Sequence, residues 1–496
     1  MRYLLGIDIG TSGAKTLLVN ELGELIALAG KEYGIDTPRP GWAEQHPETW
    51  WNAAKMTISR VIRKASIDPK RIAGVGLSGQ MHGTVLLDRS LGVIRPAIIW
   101  ADQRAKRQCE QIYTRVGRER LTRLTANPVA AGFMAATLLW LRENEPKTFG
   151  ATDKVLLPAD YVRFRLCGRV CTDQSNASST LLFDVQRRQW ASELLEVLEL
   201  PSKILPPVAE SVSVAGHVTR QAASETGLAE GTPVAAGGGD QPIAAVGNGV
   251  VAPGVLLSTI GTGGQLLTPL NQMIVDPGLR THTFCHVLPG RWFLMGAILS
   301  AGLCLRWFRD NFGGSYQELD REAAPIPAGS EGLLFLPHLI GERTPHMNPD
   351  ARGVFFGLGL RHSRAHLIRA IMEGVVLAMR DSLEVMKDLG VKPGQGIVSG
   401  GGARSPLWRQ IQADVYNMEL TTAKVPEQAA FGAALIAGIG TGVYESVEAA
   451  CHKTITYAPP TCPIEENVRR YQDCYQVFKG LYRRVKDDFL TISRLD

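Results

Sequence analysis

Asp240 is the only Asp, Glu, Lys or Arg between Gly231 and Val275. The strand-like run Pro233-Val234-Ala235-Ala236 leads through Gly237-Gly238-Gly239 to this acid, and Gln241-Pro242 then opens a helix over Ile243 to Val246. A carboxylate at the end of a buried strand, against bare backbone, is placed as a general base for a hydroxyl. Such a base must lie within hydrogen-bond reach of its proton and away from bulk water. A helix N-cap is the plainer role for an Asp here, but a cap does not require three preceding glycines.

Asp8 sits among Ile7, Ile9 and glycines, where an ionised group is costly unless it binds a cation or accepts several hydrogen bonds. A metal ligand fits that place, and a turn-supporting Asp is the alternative. Gly10-Thr11-Ser12-Gly13 follows at once, and Gly261-Thr262-Gly263-Gly264 repeats the pattern about half the chain later. Glycines let backbone N–H groups approach a phosphate, and Thr and Ser add hydroxyl donors. Either tip alone reads equally well as a hairpin turn. A P-loop is rejected, because Ala14 separates Gly13 from Lys15-Thr16 and Leu17-Leu18-Val19 reads as strand where that motif needs a helix.

A third glycine run, Gly400-Gly401-Gly402-Ala403-Arg404-Ser405, joins an Ile397-Val398 strand to a helix over Leu407 to Tyr416, a crossing suited to a nucleotide. A dinucleotide fingerprint would carry a third Gly or Ala where Ser405 stands. Gln80-Met81-His82-Gly83 follows an apolar strand over Ile72 to Leu77, at the edge where α/β proteins place ligand groups; packing is the plainer reading of a lone His.

The elements that must position these residues alternate as α/β layers do. Strand, tip, strand, turn, strand fill the first thirty residues, with Tyr3 to Ile9, Lys15 to Val19 and Glu24 to Ala29 as the strands. Helices are predicted over Pro47 to Ile62 and Ala365 to Leu389, and strands over Val255 to Ile260 and Gly332 to Leu336. The repeated Gly-Thr hairpin predicts two homologous lobes, 1–245 and 246–496, with a hinge near Gly247-Asn248-Gly249.

The 496 residues allow two large lobes or three small domains, and 45% hydrophobic with 20% charged residues is the balance of a globular enzyme. The net charge of +5 contains no run of five or six like charges, so no nucleic-acid arm or polybasic membrane patch is expected. Apolar stretches are broken by Gly and Pro short of the ~20 residues of a membrane span. Met1 leads directly into the first strand without a secretory signal, and a cytoplasmic protein is expected. Eight scattered cysteines, with Cys167 and Cys171 the only close pair, read as reduced thiols.

Together these segments resemble the FGGY family of carbohydrate kinases nearly end to end. Also similar are Gly41-Trp42-Ala43-Glu44-Gln45, Phe284-Cys285-His286, Gly341-Glu342-Arg343-Thr344-Pro345-His346 and the stretch from Gly353 to Glu373. The resemblance implies two actin-like, ribonuclease H-like lobes around a central cleft for ATP and sugar, with ATP and Mg²⁺ as cofactors and a homodimer as a possible assembly. It implies Asp240 as catalytic base, and Asp8 with Asp240 at the magnesium. Met81, His82, Asp240 and Gln241 would touch the sugar, a ketopentose with D-xylulose first, and ribulose, gluconate or glycerol as alternatives. Gly10, Thr11, Ser12, Gly13 and Lys15 would meet ATP from one side. Gly261, Thr262, Gly263, Gly302, Gly401, Gly402, Ala403 and Ser405 would meet it from the other. An actin-like ATPase without a sugar substrate is the rival class. The sequence departs from the family pattern at Thr137, where Lys is usual, and at Gln241, where many relatives carry Asn.

Overall fold

Apolar residues crowd Tyr3–Ile9 and Gly13–Asn20, and these strands close an antiparallel pair that sets Asp8 opposite Lys15. The computed structural model describes residues 1–492. In it the first strand also runs parallel to Ile72–Gly79, placing Ser78 beside Asp8. The first sheet is completed in the order Val214–His217, Pro233–Ala235, Ile72–Gly79, Tyr3–Ile9, Gly13–Asn20, Leu25–Glu32. The short strand Gly238–Gly239 continues along Ser78 and Gly79, so the approach to Asp240 is part of this sheet.

The second sheet runs His282–Cys285, Trp292–Ile298, Gly264–Leu270, Val255–Ile260, Gln395–Gly400, Leu420–Thr421. Its middle repeats the first. An antiparallel Gly-Thr hairpin, Val255–Ile260 with Gly264–Leu270, lies beside a parallel strand, Gln395–Gly400, that arrives after a crossover. The recurrence read from the sequence is therefore a recurrence of topology, and the architecture is α/β with two actin-like lobes.

Helices cover the sheets where the sequence predicts them, with ends moved by cap chemistry. Pro47–Ala65 starts behind His46, whose side chain accepts the N–H of Glu48, and stops at Ser66 in a left-handed conformation. The long helix over Arg364–Asp388 fills the core of the second lobe.

Helix Gln428–Gly440 is apolar on every side, the mark of a helix buried all round. It belongs to the second half of the sequence, yet it packs on the first sheet and shares a core with Leu4, Leu17, Ile243 and Val246. Glycine permits the approach: a Cβ on Gly6 or Gly76 would lie 1.8 Å from the carbonyl oxygen of Ala430 or Ala433.

Candidate active site

The helix bearing Asp240 starts three residues earlier than its apolar pattern predicts. It spans Asp240–Gly247, with Gly239 as its N-cap and Asp240 as its first residue. The capping alternative falls, because the cap position is a glycine without a side chain. The carboxylate sits in the first turn, where the helix dipole favours negative charge. Each preceding glycine has a reason. Gly237 has φ +76° and a Cβ there would strike the Leu77 carbonyl at 2.3 Å. A Cβ on Gly238 would lie 2.4 Å from Val287, and one on Gly239 would lie 2.7 Å from Met81. The run is glycine because the second lobe, the sheet and Met81 close on it from different directions.

Asp240 feels the charge of Asp8. Burial first, and then the Asp8 carboxylate, push the Asp240 pKa up to about 7, while backbone and side-chain donors of Gln241 pull it back. Burial also raises the Asp8 pKa, against the hydrogen bond it accepts from Ser78 Oγ at 2.8 Å and the charge of Lys15. Two carboxylates near enough for one to resist the other's ionisation are oxygen donors of the kind a hard cation takes. Among the described residues no group of three or more His, Cys, Asp or Glu is arranged to hold a metal ion.

The first Gly-Thr tip is braced from behind. Gly10 N–H donates to the Gly13 carbonyl at 3.0 Å, and Tyr33 Oη donates to the Gly10 carbonyl at 2.7 Å. Thr11 Oγ1 accepts from Trp100 Nε1 at 2.9 Å and donates to Gln80 Oε1 at 3.3 Å, so this hydroxyl shapes the tip. The amides of Thr11 and Ser12 have no partner among the described residues and remain available to a phosphate. Lys15 is engaged elsewhere: its Nζ lies 2.6 Å from Glu427 Oε2, the residue before helix Gln428–Gly440.

The second tip is braced likewise, with Gly261 N–H on the Gly263 carbonyl at 2.9 Å. Gly302 donates its own N–H to the Gly261 carbonyl, and a Cβ there would sit 2.4 Å from that oxygen. Its contribution is therefore close approach. Gly261, Thr262, Gly302, Gly401, Gly402 and Ser405 line one cavity of about 600 Å³. Apolar Met372 and Trp408 and the Tyr316 ring also border it, a lining that suits a planar base. Ser405 caps helix Pro406–Tyr416, accepting Trp408 N–H at 2.9 Å, and donates to Asp320. Gly263 and Ala403 flank this cavity in sequence without lining it.

His82 adopts φ +70° and stacks on Phe133, ring centroids 3.9 Å apart. Its Nδ1 lies 2.8 Å from the Ser179 carbonyl, which can only accept, so Nδ1 carries the proton and Nε2 is the ring's acceptor. Burial pushes its pKa down to about 3, and the ring is neutral. Met81, 4% exposed, packs against the glycine strand at Gly239.

Sequence reasoning gave no role to two residues that the structure brings here, His282 and Arg343. His282, buried and held neutral, donates from Nδ1 to Asn127 Oδ1 at 3.0 Å and stacks on Phe284. The Arg343 guanidinium is a charge felt by both His82 and His282, and it has no hydrogen-bond partner among the described residues. Its place in a family-like segment was its only sequence signal. Thr137, where the family pattern usually carries Lys, is 1% exposed on helix Met134–Asn144.

Residues 3–247 match the N-terminal domain of the FGGY family of carbohydrate kinases, and residues 256–441 match its C-terminal domain. The chain is 38% identical to a xylulose kinase of Lactococcus lactis over 98% of both chains, and 36% identical to one of Bacillus subtilis with the same coverage. A gluconokinase of Bacillus subtilis is 28% identical over 99% of this chain and 98% of its own. Among solved structures, a xylulose kinase of Brucella ovis superposes with a TM-score of 0.92 at 34% identity, covering 98% of this chain and 100% of the other. That of Rhodospirillum rubrum gives 0.90 at 30%, with the same coverage.

Proposed function

The chain belongs to the FGGY family of carbohydrate kinases, and from that premise we propose that it transfers the γ-phosphoryl group of ATP to D-xylulose, giving D-xylulose 5-phosphate, with Asp240 as general base. The observation that carries this reading is the Asp240 carboxylate, whose pKa of about 7 is matched to taking a proton from a hydroxyl near neutral pH. The choice of sugar is supported by the xylulose kinases of similar length and sequence.

Phosphoryl transfer passes through a loose transition state that needs alignment and charge neutralisation more than covalent chemistry. The unpaired amides of Thr11 and Ser12 meet the phosphates from one lobe, and the Gly261-Thr262 tip meets them from the other. The cavity between Gly302 and Gly401-Gly402 takes the nucleoside. Asp8, with Asp240, would hold Mg²⁺, which when bound offsets the negative charge gathered on the phosphates. Neutral His82 offers Nε2 to a sugar hydroxyl, Met81 closes the apolar side, and Gln241 steadies the base. Asp240 accepts the proton of the attacking primary hydroxyl as the bond to phosphorus forms. Closing the lobes keeps water, the competing acceptor, out of line. A cytoplasmic setting accords with ATP as a substrate and with all eight cysteines as free thiols.

ADP production measured with saturating MgATP and a panel of D-xylulose, D-ribulose, gluconate and glycerol tests the proposal. D-xylulose is expected to give the highest kcat/KM. A higher value for another member would overturn the sugar and leave the kinase standing. ADP release indifferent to every sugar would overturn the kinase.

A further inference from the structure

In the five-residue helix Gln174–Ser178 the residues from Ser175 to Ser178 are buried, and the helix and its flanking residues touch three parts of the molecule. Toward the catalytic strand, Ser175 Oγ accepts the N–H of Gly239, the residue before Asp240, at 3.0 Å. Toward the sugar side, the Ser179 carbonyl takes the Nδ1 proton of His82. Toward the second sheet, Ser178 Oγ accepts the N–H of Cys285 at 3.1 Å.

The helix is itself tightly held. The buried Asp173 carboxylate accepts the N–H groups of Ser175 and Asn176, at 2.8 and 3.1 Å, and the Asn176 side-chain amide at 2.6 Å. The hydroxyls of Ser175 and Ser211 donate to it as well. Fully buried Arg163 pairs with Asp160 at 2.7 Å and donates to the carbonyls of Cys171 and Ala236. The glycine run that delivers Asp240 is thus gripped at both ends, at the Ala236 carbonyl by Arg163 and at the Gly239 N–H by Ser175. Buried donors and acceptors of this kind have no water to fall back on, so each bond fixes a position.

We infer that the Asp173–Ser179 segment is the positioning element of the reaction. Ser175 sets Asp240, the Ser179 carbonyl sets the tautomer and orientation of His82, and Ser178 ties both settings to the second lobe. Base and sugar contact are then aligned together only when that lobe is seated. This rests on the reading of Asp240 as general base, and none of the three serines meets a reacting atom.

Steady-state kinetics of Ser175→Ala and Ser178→Ala, with thermal melting of each variant, test the inference. Misplacing a catalytic group by about 1 Å can cost ~10²-fold in rate. Ser175→Ala is therefore expected to lower kcat by roughly 10- to 100-fold, with the KM values for ATP and sugar little changed. Ser178→Ala keeps the Gly239 bond and removes the tie to Cys285, together with the bond the Ser178 hydroxyl donates to the Ser175 carbonyl inside the helix. It is expected to raise the ratio of ADP to sugar phosphate formed above one, as ATP is hydrolysed in a cleft that closes without alignment. A Ser175→Ala enzyme with wild-type kcat, or one whose rate loss only follows its unfolded fraction, overturns the positioning of Asp240. A wild-type product ratio in Ser178→Ala overturns the tie to the second lobe. Asp240→Asn measured alongside separates the readings: if it is inactive while Ser175→Ala is normal, this inference alone falls, and if it is active, the general-base reading falls first.

Discussion

A carboxylate whose pKa lies near 7 leaves a double signature in pH. As the proposed base, Asp240 must be ionised, so kcat is expected to fall as pH drops, with a midpoint below the metal-free value of about 7 because bound Mg²⁺ favours the carboxylate. Asp240→Asn keeps the shape and removes the acceptor, and a loss of ~10²–10⁴-fold in kcat is expected, with modest change in sugar affinity. Stability runs the other way. The folded state holds this proton more tightly than the unfolded chain, so between the ordinary Asp range and pH 7 the native state binds more protons, and stability falls as pH rises. Asp240→Asn should accordingly melt higher than wild type at pH 8 and show no such advantage at pH 4; a lower melting temperature at pH 8 would contradict the burial cause. His82 is predicted to be silent in the same range, because its pKa is held near 3. His82→Ala should lower kcat/KM for sugar by up to ~10⁴-fold, the scale on which sites reject groups that leave polar partners unpaired, while the KM for ATP moves little. A comparable rise in the KM for ATP would show that His82 serves the nucleotide instead.

At the scale of elements, glycines are where helix and sheet backbones meet. Gly6→Ala puts a methyl group 1.8 Å from the Ala430 carbonyl, and the helix over Gln428–Gly440 must lift from the sheet. Overpacking costs about 1–3 kcal/mol, read as a lower melting temperature, and melting unchanged from wild type would mean that the helix shifts without strain. The sequence makes such elements legible unevenly. Both Gly-Thr hairpins, the Asp240 turn and the long helix near residues 364–388 announce themselves by local period and punctuation, so their existence is readable and only their ends move. Asp240 stands out because charge is absent around it over a long stretch. By contrast, Ser175 reaches Gly239 across 64 positions and Lys15 reaches Glu427 across 412, and no local pattern encodes either meeting. Arg163 looks like one more helical arginine until its burial is known. The return of Gln428–Gly440 to the first sheet is hidden for the same reason: its uniform apolarity says that it is buried, not against which sheet.

For the whole molecule, the proposed closure over sugar and nucleotide predicts a smaller radius of gyration by X-ray scattering when D-xylulose and a non-hydrolysable ATP analogue are both present. Identical scattering curves with and without them would argue that the cleft is already shut. The helix from Gln428 to Gly440 carries a separate consequence, for how the chain can be divided. Cut at Gly249, the amino-terminal piece would keep every strand of its sheet and lose the roof over one face, baring Leu4, Leu17, Ile243 and Val246. Expressed by itself, such a piece is expected to aggregate. Supplied in trans with residues 250–496, it should reassemble into an active enzyme, because the carboxy-terminal half brings the missing roof as an inserted part. Sequence order and folding unit are then different partitions of one polypeptide, and limited proteolysis in the 248–254 connection should nick the backbone without releasing either half.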